Sequence, residues 1–316
     1  MNLSCTIVIA LYNGEKYIKE QLQSVLNQTH KPDCVLIVDD GSTDNSIEIV
    51  EKFIGSHQLS SLWHIEKNDR NYGYADNFWY ASNKAKTDVV FFCDQDDIWK
   101  SNKIEVMLSV LEQTDKIKVL GSGYTAFTDT GRPYVDRALT KISETGKLER
   151  IKLSEKTIFI GCEGCTMAVR SDFLYSLRKF HYDRAPHDEF IWKAALCCDG
   201  CYVLHKSLMM RRFHEENVTH NKMHDANTRM RFLELLLKSH NAMLSYAYEC
   251  GCDKEVISLI EKNIASVKLR MDLIGKHKFL NFVPLLFCYR DNYHSKKAIL
   301  TEMWIALKNI NQALYD

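Results

Sequence analysis

Cys34-Val35-Leu36-Ile37-Val38-Asp39-Asp40-Gly41-Ser42-Thr43-Asp44 runs from an apolar segment into two carboxylates and a glycine turn. The apolar part does not alternate with polar residues. Such a run reads as a strand buried on both faces, the signature of a parallel sheet covered by helices. After it, Ile47, Val50, Phe53 and Ile54 fall on one face of a helix over residues 44–54. Before it, an apolar run at 5–11 leads into residues 15–27, where Ile18, Leu22, Val25 and Leu26 share one face. The order is βαβα, so the expected fold class is α/β with a mostly parallel, Rossmann-like sheet flanked by helices.

Outward from this core, apolar runs at 62–65 and 89–93 predict two further strands, and the sheet is expected to continue to about residue 125. Residues 127–157 are polar and contain Gly131, Pro133 and Gly146, which predicts an extended connection. A strand pair is expected over 158–169, a helix over 190–198 and a strand over 202–212. Beyond residue 223 the period changes to that of long helices, near 228–248, 254–275 and 295–314. The expected organisation is therefore a sheet domain at 1–222 and a helical C-terminal region at 223–316.

The 316 residues are 46% apolar and 26% charged, which excludes a disordered or fibrous chain. Forty-one basic residues balance forty-one acidic ones, and that argues against a general nucleic-acid footprint. The balance is uneven: the chain from Arg229 onward is basic and the front is acidic. No apolar stretch has the length of a membrane span, the best candidate at 279–289 being interrupted by Asn281 and Pro284. The first twelve residues read as a buried strand rather than a signal peptide, and a cytoplasmic protein is expected. Eleven cysteines, several inside apolar runs, fit reduced thiols better than disulfides.

Ligands of open α/β sheets bind beyond the carboxyl ends of the strands, so polar residues directly after apolar runs are the informative ones. Asp39 and Asp40 offer acceptors for a base N–H and a ribose hydroxyl, against the plainer reading that Ser42 or Asp44 caps the next helix. Asp94 and Asp96, two apart in an extended segment, can project to one side as hard oxygen ligands for Mg²⁺ or Mn²⁺. A solvated acidic turn is the alternative. Asp188 opens a helix, where the dipole favours its ionised form; it is a candidate general base, or merely an acid at a helix start. Cys162-x-x-Cys165 and Cys198-x-x-Cys201 raise the alternative of a zinc-dependent interaction module, although 32 residues separate the pairs. A non-catalytic nucleotide or metal sensor would keep Asp39 and Asp96 without needing Asp188. His214, His220 and His224 are further metal-ligand candidates. Lys276-His277-Lys278 followed by apolar residues 279–287 has the pattern of an interfacial helix, or of a helix packed on the sheet domain.

Over residues 3–220 these segments together resemble the inverting nucleotide-sugar glycosyltransferases of family 2, which have the GT-A fold. Residues 7–14, with Leu11 and Asn13, resemble the family's first strand and turn, and residues 38–44 its nucleoside-binding signature with Asp39 and Asp40. Asn71, Gly73 and Asn77 resemble the donor-facing loop, with Asp76 standing where a basic residue is usual. Asp94-Gln95-Asp96-Asp97-Ile98-Trp99 is similar to the metal-binding Asp-x-Asp segment in the form associated with rhamnosyltransferase-like members.

The resemblance implies a role for Asp94 at the donor diphosphate and at Mn²⁺ or Mg²⁺, with Asp96 and His214 as further metal ligands. It implies Asp188 as catalytic base, and Arg211 and Arg212 at the diphosphate. Trp99, Gly164, Cys165, Thr166 and His187 would face the acceptor. The donor so implied is a nucleoside-diphosphate sugar, dTDP-rhamnose before a UDP-hexose. The acceptor so implied is a growing surface polysaccharide or a lipid-linked glycan. Nucleic acid is not expected as a partner, and contact with the inner face of the membrane is an open expectation.

Overall fold

A computed structural model describes residues 3–129, 144–159, 161–214, 225–293 and 295–313. The four predicted front strands form as β1 (Cys5–Leu11), β2 (Cys34–Asp39), β3 (Trp63–Lys67) and β4 (Val89–Asp94). All are parallel, in the spatial order β3-β2-β1-β4. Between them run α1 (Ile18–Leu26), α2 (Ser46–Ser56) and α3 (Tyr74–Ser82). The period does not announce α3, because most of its residues are buried, Asp76 and Asn77 included, so no polar face exists to mark it.

The sheet continues through β5 (Ile98–Trp99), α4 (Lys103–Leu111), β6 (Val119–Thr128) and β7 (Leu148–Arg150). The expected strand pair at 158–169 is replaced by a 3-10 turn, Gly164–Thr166, and the short β8 (Ala168–Arg170). Glycine is the reason: a Cβ at Gly161 would lie 2.7 Å from the Trp192 ring, and one at Gly164 would lie 2.6 Å from His187 Nε2. Close packing on these two positions bends the chain out of strand geometry. Then come α5 (Ser171–Ser176), α6 (His187–Cys197) and β9 (Cys201–Phe213). β8 is antiparallel to both β4 and β6, and β6 is parallel to β9. β5 and β7 both flank β9 antiparallel, so β7, too short to be seen as a period, lies within the stretch expected to be structureless.

Three long helices follow: α7 (Ala226–Glu249), α8 (Lys254–Gly275) and, after the short α9 (Phe282–Phe287), α10 (Lys296–Ala313). Each matches its expected range to within a few residues. One face of the sheet packs on α1, α2 and α4. The other packs on α3 and α6, and there Met243, Tyr246 and Ala247 of α7 and Ile260 and Ile264 of α8 enter the same apolar cluster. The boundary expected at residue 222 lies outside the described residues, as do Glu215, Glu216, Asn217, His220 and His224. Among the described residues no helix is long and apolar enough to cross a membrane.

Candidate active site

The register of the sheet assembles the site. Leu11 pairs with Asp39, and Ala10 pairs with Asp94, so the carboxyl ends of β1, β2 and β4 stand in a row. β1 lies between β2 and β4, where the strand order reverses, and this is the crevice in which open α/β sheets bind ligands.

On the β2 side most polar side chains fix loops. Asp39 accepts from the backbone N–H groups of Gly41 and Ser42, each at 3.1 Å, and so closes its own turn. Asp40 accepts from Tyr72 N, Gly73 N and Asn68 Nδ2, each at 2.8 Å, and ties residues 68–73 to the strand end. Asn77 donates to Val38 O at 3.0 Å and accepts from Asn68 at 3.1 Å. Asn71 accepts from Gly73 N, whose φ of +83° only glycine adopts at low cost. Asn13, itself at φ +47°, accepts from Thr43 N at 2.8 Å, while the Leu11 side chain is core. Asp44 accepts from the N–H groups of Glu15 and Ser46, so it serves both the α2 start and the β1 turn.

Gln95, the second residue of the Asp-Gln-Asp-Asp segment, has a structural role that its motif does not announce. It accepts from Tyr12 N and donates to Tyr12 O, at 2.8 and 2.9 Å, clamping the β4 end to the β1 end. Gly14 leaves room for it, since a Cβ there would lie 2.5 Å from Gln95 Oε1.

The acidic segment after β4 is tightly packed. Among the described residues, one group of potential metal-ligating atoms converges to within 4.8 Å: those of Asp94, Asp97 and Cys165. Burial, then the charge of Asp96, pushes the Asp94 carboxyl up to about 6. Asp97 is pushed up as well, by burial and then by Asp94, and its Oδ2 has no hydrogen-bond partner among the described residues. Asp96 Oδ2 lies 2.7 Å from His214 Nε2, which brings β9 over the segment. The four cysteines of the two C-x-x-C pairs form no such converging group among the described residues, and all are free thiols.

β9 also supplies two arginines with different duties. Arg211 donates to Glu163 Oε1 at 2.9 Å. Arg212 donates to the Asp96 carbonyl at 2.9 Å and to Asp129 at 3.1 Å, and it also pairs with Glu20. Its backbone N–H donates to Asp97 Oδ1 at 3.0 Å. Arg212 thus braces the acidic segment from behind. Lys103 is fully buried, donates to the Cys165 carbonyl at 2.6 Å and lies 3.9 Å from the Trp99 ring centroid. Burial lowers its ammonium to about 8. Trp99, expected on the acceptor side, is 3% exposed and packs with Phe91 in the core beneath the sheet. Its aromatic surface is better buried there than held at the end of a two-residue strand.

Asp188 sits in the first turn of α6. It accepts from Gly164 N at 3.3 Å and Glu189 N at 2.8 Å, yet burial outweighs these bonds and pushes its carboxyl up to about 6. Burial of its hydroxyl first, then Asp188, Glu189 and Asp94, raise Tyr74, whose side chain as a whole is half exposed, to about 12. His187 points away into the core between Phe78 and Phe92, and burial lowers it to about 3, so it is neutral. Thr166 is likewise buried, donating to the Glu163 carbonyl at 2.7 Å. Behind Asp188, Glu189 pairs with buried Lys193, and Lys193 donates to Ser239 of α7 at 2.8 Å. A Cβ at Gly164 would lie 3.3 Å from Asp188 Cβ as well as against His187. Gly164→Ala is therefore expected to lower stability by about 1–3 kcal/mol through overpacking and to shift the acid limb of the activity profile. Denaturant titration and a pH–rate profile check it.

The comparisons now bear on this geometry. The family model for glycosyl transferase family 2 matches residues 6–176, more than half of the chain. The chain belongs to glycosyltransferase family 2. This glycosyltransferase is 30% identical over 224 residues to the dTDP-rhamnosyl transferase RfbG of Shigella flexneri, covering 66% of this chain and 72% of the relative. It is 27% identical over 232 residues to a Nostoc protein named as an uncharacterized glycosyltransferase, covering 72% of this chain and 67% of that one. Staphylococcus aureus TarS, residues 1–349 with UDP-GlcNAc, superposes with a TM-score of 0.66 at 16% identity, over 98% of this chain and 92% of TarS. GalNAc-T7, solved with UDP, GalNAc and Mn²⁺, gives 0.56 at 15% identity, over 74% and 48%. At such identities the structures speak for the fold alone, and the glycosyltransferase has the expected GT-A fold with a helical C-terminal region.

Proposed function

We propose that this glycosyltransferase is inverting and moves a sugar from a nucleoside-diphosphate donor to a hydroxyl of a surface polysaccharide or lipid-linked glycan. The reading is carried by one arrangement: Asp188 accepts from the Gly164 N–H of the 3-10 turn whose next residue, Cys165, converges on Asp94 and Asp97, so the candidate base stands beside the acidic segment at the end of β4, and burial pushes its carboxyl up to about 6. A base that ionises just below neutrality is suited to take a proton from an acceptor hydroxyl. The acceptor oxygen then forms a bond to the anomeric carbon while the bond from that carbon to the diphosphate oxygen breaks, its electron pair staying on the diphosphate. One displacement of this kind needs one base and no covalent carboxylate partner.

The acidic segment fits a divalent cation on its own chemistry. It offers hard carboxylate oxygens, the mutual repulsion of Asp94, Asp96 and Asp97 favours a cation between them, and Asp97 Oδ2 is a buried acceptor with no partner among the described residues. Asp94 and Asp96 would hold Mn²⁺ or Mg²⁺, with His214 beside Asp96. The cation, when bound, supplies positive charge where the leaving diphosphate accumulates negative charge. Asp40 acts at the nucleoside through the loop it anchors, presenting residues 71–73. Arg211, which pairs with Glu163, would meet a donor phosphate.

dTDP-rhamnose is the favoured donor, supported by the Asp-Gln-Asp-Asp segment and the RfbG relative, with UDP-hexoses second. A panel of nucleotide sugars scored for slow donor hydrolysis, with Mn²⁺ or Mg²⁺ added, tests the reading without knowledge of the acceptor. Hydrolysis of dTDP-rhamnose above the other donors is expected, and hydrolysis of none would defeat the proposal. Asp96→Asn should raise the Mn²⁺ concentration for half-maximal hydrolysis about tenfold or more, since a ligand charge is lost. His214→Ala should raise it too, by a smaller factor, since one ligand beside Asp96 is lost. Unchanged Mn²⁺ titrations would take both residues out of the metal site.

A further inference from the structure

Of twelve large apolar side chains exposed among the described residues, six lie between residues 280 and 307. Outside this segment every one but Leu62 is a tyrosine, whose hydroxyl can meet water. Within it they are Leu280 (87% exposed), Val283 (55%), Phe287 (77%), Leu300 (64%), Trp304 (52%) and Leu307 (48%). Scattered exposed apolar residues need no explanation, but a concentration of this kind does.

The segment has its own core, so the exposure is not a failure to pack. Leu285 of α9 is fully buried while Val283 and Phe287 on the same short helix face out, and in α10 Ile299, Ile305 and Ala306 are buried while 300, 304 and 307 share the opposite face. Each helix is thus two-sided, apolar inward and apolar outward, which a water-facing helix is not.

The charge on this surface is predominantly positive, Asp291 being its one exposed acid between residues 276 and 308 among the described residues. Between residues 276 and 308 there are six Lys or Arg and two acids, and one of the acids, Glu302, is buried against Arg270. Lys276 and Lys278 share a single carboxylate, Asp272, and Arg290 and Lys297 are exposed. Lys308 lies 5.2 Å from the Trp304 ring centroid, an aromatic and a cation side by side at the rim of the α10 stripe.

We propose that the outward faces of residues 280–287 and of α10 form a docking surface for an anionic lipid bilayer. The apolar side chains enter the headgroup boundary and the lysines and Arg290 meet lipid phosphates. The charge complementarity favours this occupant over a second copy of the chain, whose identical basic surface would repel it. The proposal extends the lipid-linked acceptor reading by placing the enzyme at the surface where such an acceptor resides, but it stands without donor or acceptor.

The test is co-sedimentation of the purified chain with vesicles of phosphatidylglycerol and phosphatidylcholine, against vesicles of phosphatidylcholine alone. Binding to the anionic vesicles is expected, weakening with salt. The Leu280→Ser/Phe287→Ser variant, and separately Trp304→Ser, should each lose about tenfold in partitioning, because full burial of one such side chain is worth a factor of about ten or more. Thermal unfolding of these variants should match the parent, since the side chains removed are exposed. Absent binding to anionic vesicles, or equal binding by parent and variants, would overturn the proposal. So would a parent dimer that both variants convert to monomer without any vesicle binding.

Discussion

Asp188→Asn is expected to lower transfer by about 10²–10⁴-fold while leaving donor binding unchanged, because it keeps the shape of the side chain and removes its ability to take a proton. The pH behaviour gives the change a fingerprint. Burial holds the Asp188 carboxyl at about 6, above the ordinary carboxylate value, so the parent should lose activity as pH falls through about 6 and the base becomes protonated. A raised carboxyl pKa also means that the folded state binds this proton more tightly than the unfolded chain does. Ionisation of Asp188 therefore costs stability above about pH 6, and that cost is relieved as the pH falls. The Asn variant, lacking the charge, should unfold no more easily than the parent at pH 8. After burial, the charge of Glu189 on the same helix raises the Asp188 carboxyl further, and Asp188 in turn raises Glu163, before the 3-10 turn, and Asp94. Near-parental transfer by the variant, or a sharp loss of stability, would remove Asp188 from the role of base.

Arg270→Met should destabilise the chain by about 3–5 kcal/mol, the usual cost of stranding one member of a buried ion pair. Arg270 and Glu302 are both fully buried and joined twice, Nη2 to Oε1 at 2.7 Å and Nε to Oε2 at 3.0 Å. Tyr293 donates to Glu302 Oε2 at 3.0 Å, and Arg229 Nε lies 3.8 Å from Oε1, so α7, α8 and α10 meet at one carboxylate. With Arg270 gone, Glu302 keeps, among the described residues, Arg229 and Tyr293. Arg270→Met combined with Glu302→Met should recover part of the loss, as the two charges then leave together while Arg229 loses its carboxylate partner. Urea unfolding of the two single variants and the double variant measures the coupling, and simple additivity would contradict it.

The chain's own pattern determined much of this protein. Short apolar runs without alternation, followed by turn residues, read as strands buried on both faces, so β1, β2 and β4 were legible, as were α7, α8 and α10 from a period sustained over many turns, while the spatial order of the strands was not. The site's location followed, because in a parallel sheet the polar residues at strand ends have one place to go. The acids after β4 were found on that ground, whereas Asp188, at a helix start, stood out as a base through the family resemblance.

What those side chains do once there was decided by the tertiary structure. Asp39 and Asp40 read alike in sequence, yet Asp39 closes its own turn while Asp40 is saturated by N–H groups of residues 68–73, some thirty positions away. Asp97, adjacent to the expected pair, joins the converging group because the chain turns after β4 and Cys165 arrives from the 3-10 turn. Gln95 lies inside the Asp-Gln-Asp-Asp motif, yet neither its clamp nor the ion pair of Glu163 could be read there, since their partners, Tyr12 and Arg211, are far away in the chain. Trp99 went to the core for the converse reason, its burial being set by Phe91 and Lys103 rather than by its neighbours at the strand end. Spacing along the chain fixes which residues share an element and an end. Whether a carboxylate there is spent on a loop, paired, or left to meet a ligand depends on groups brought in from elsewhere, and only their packing settles it.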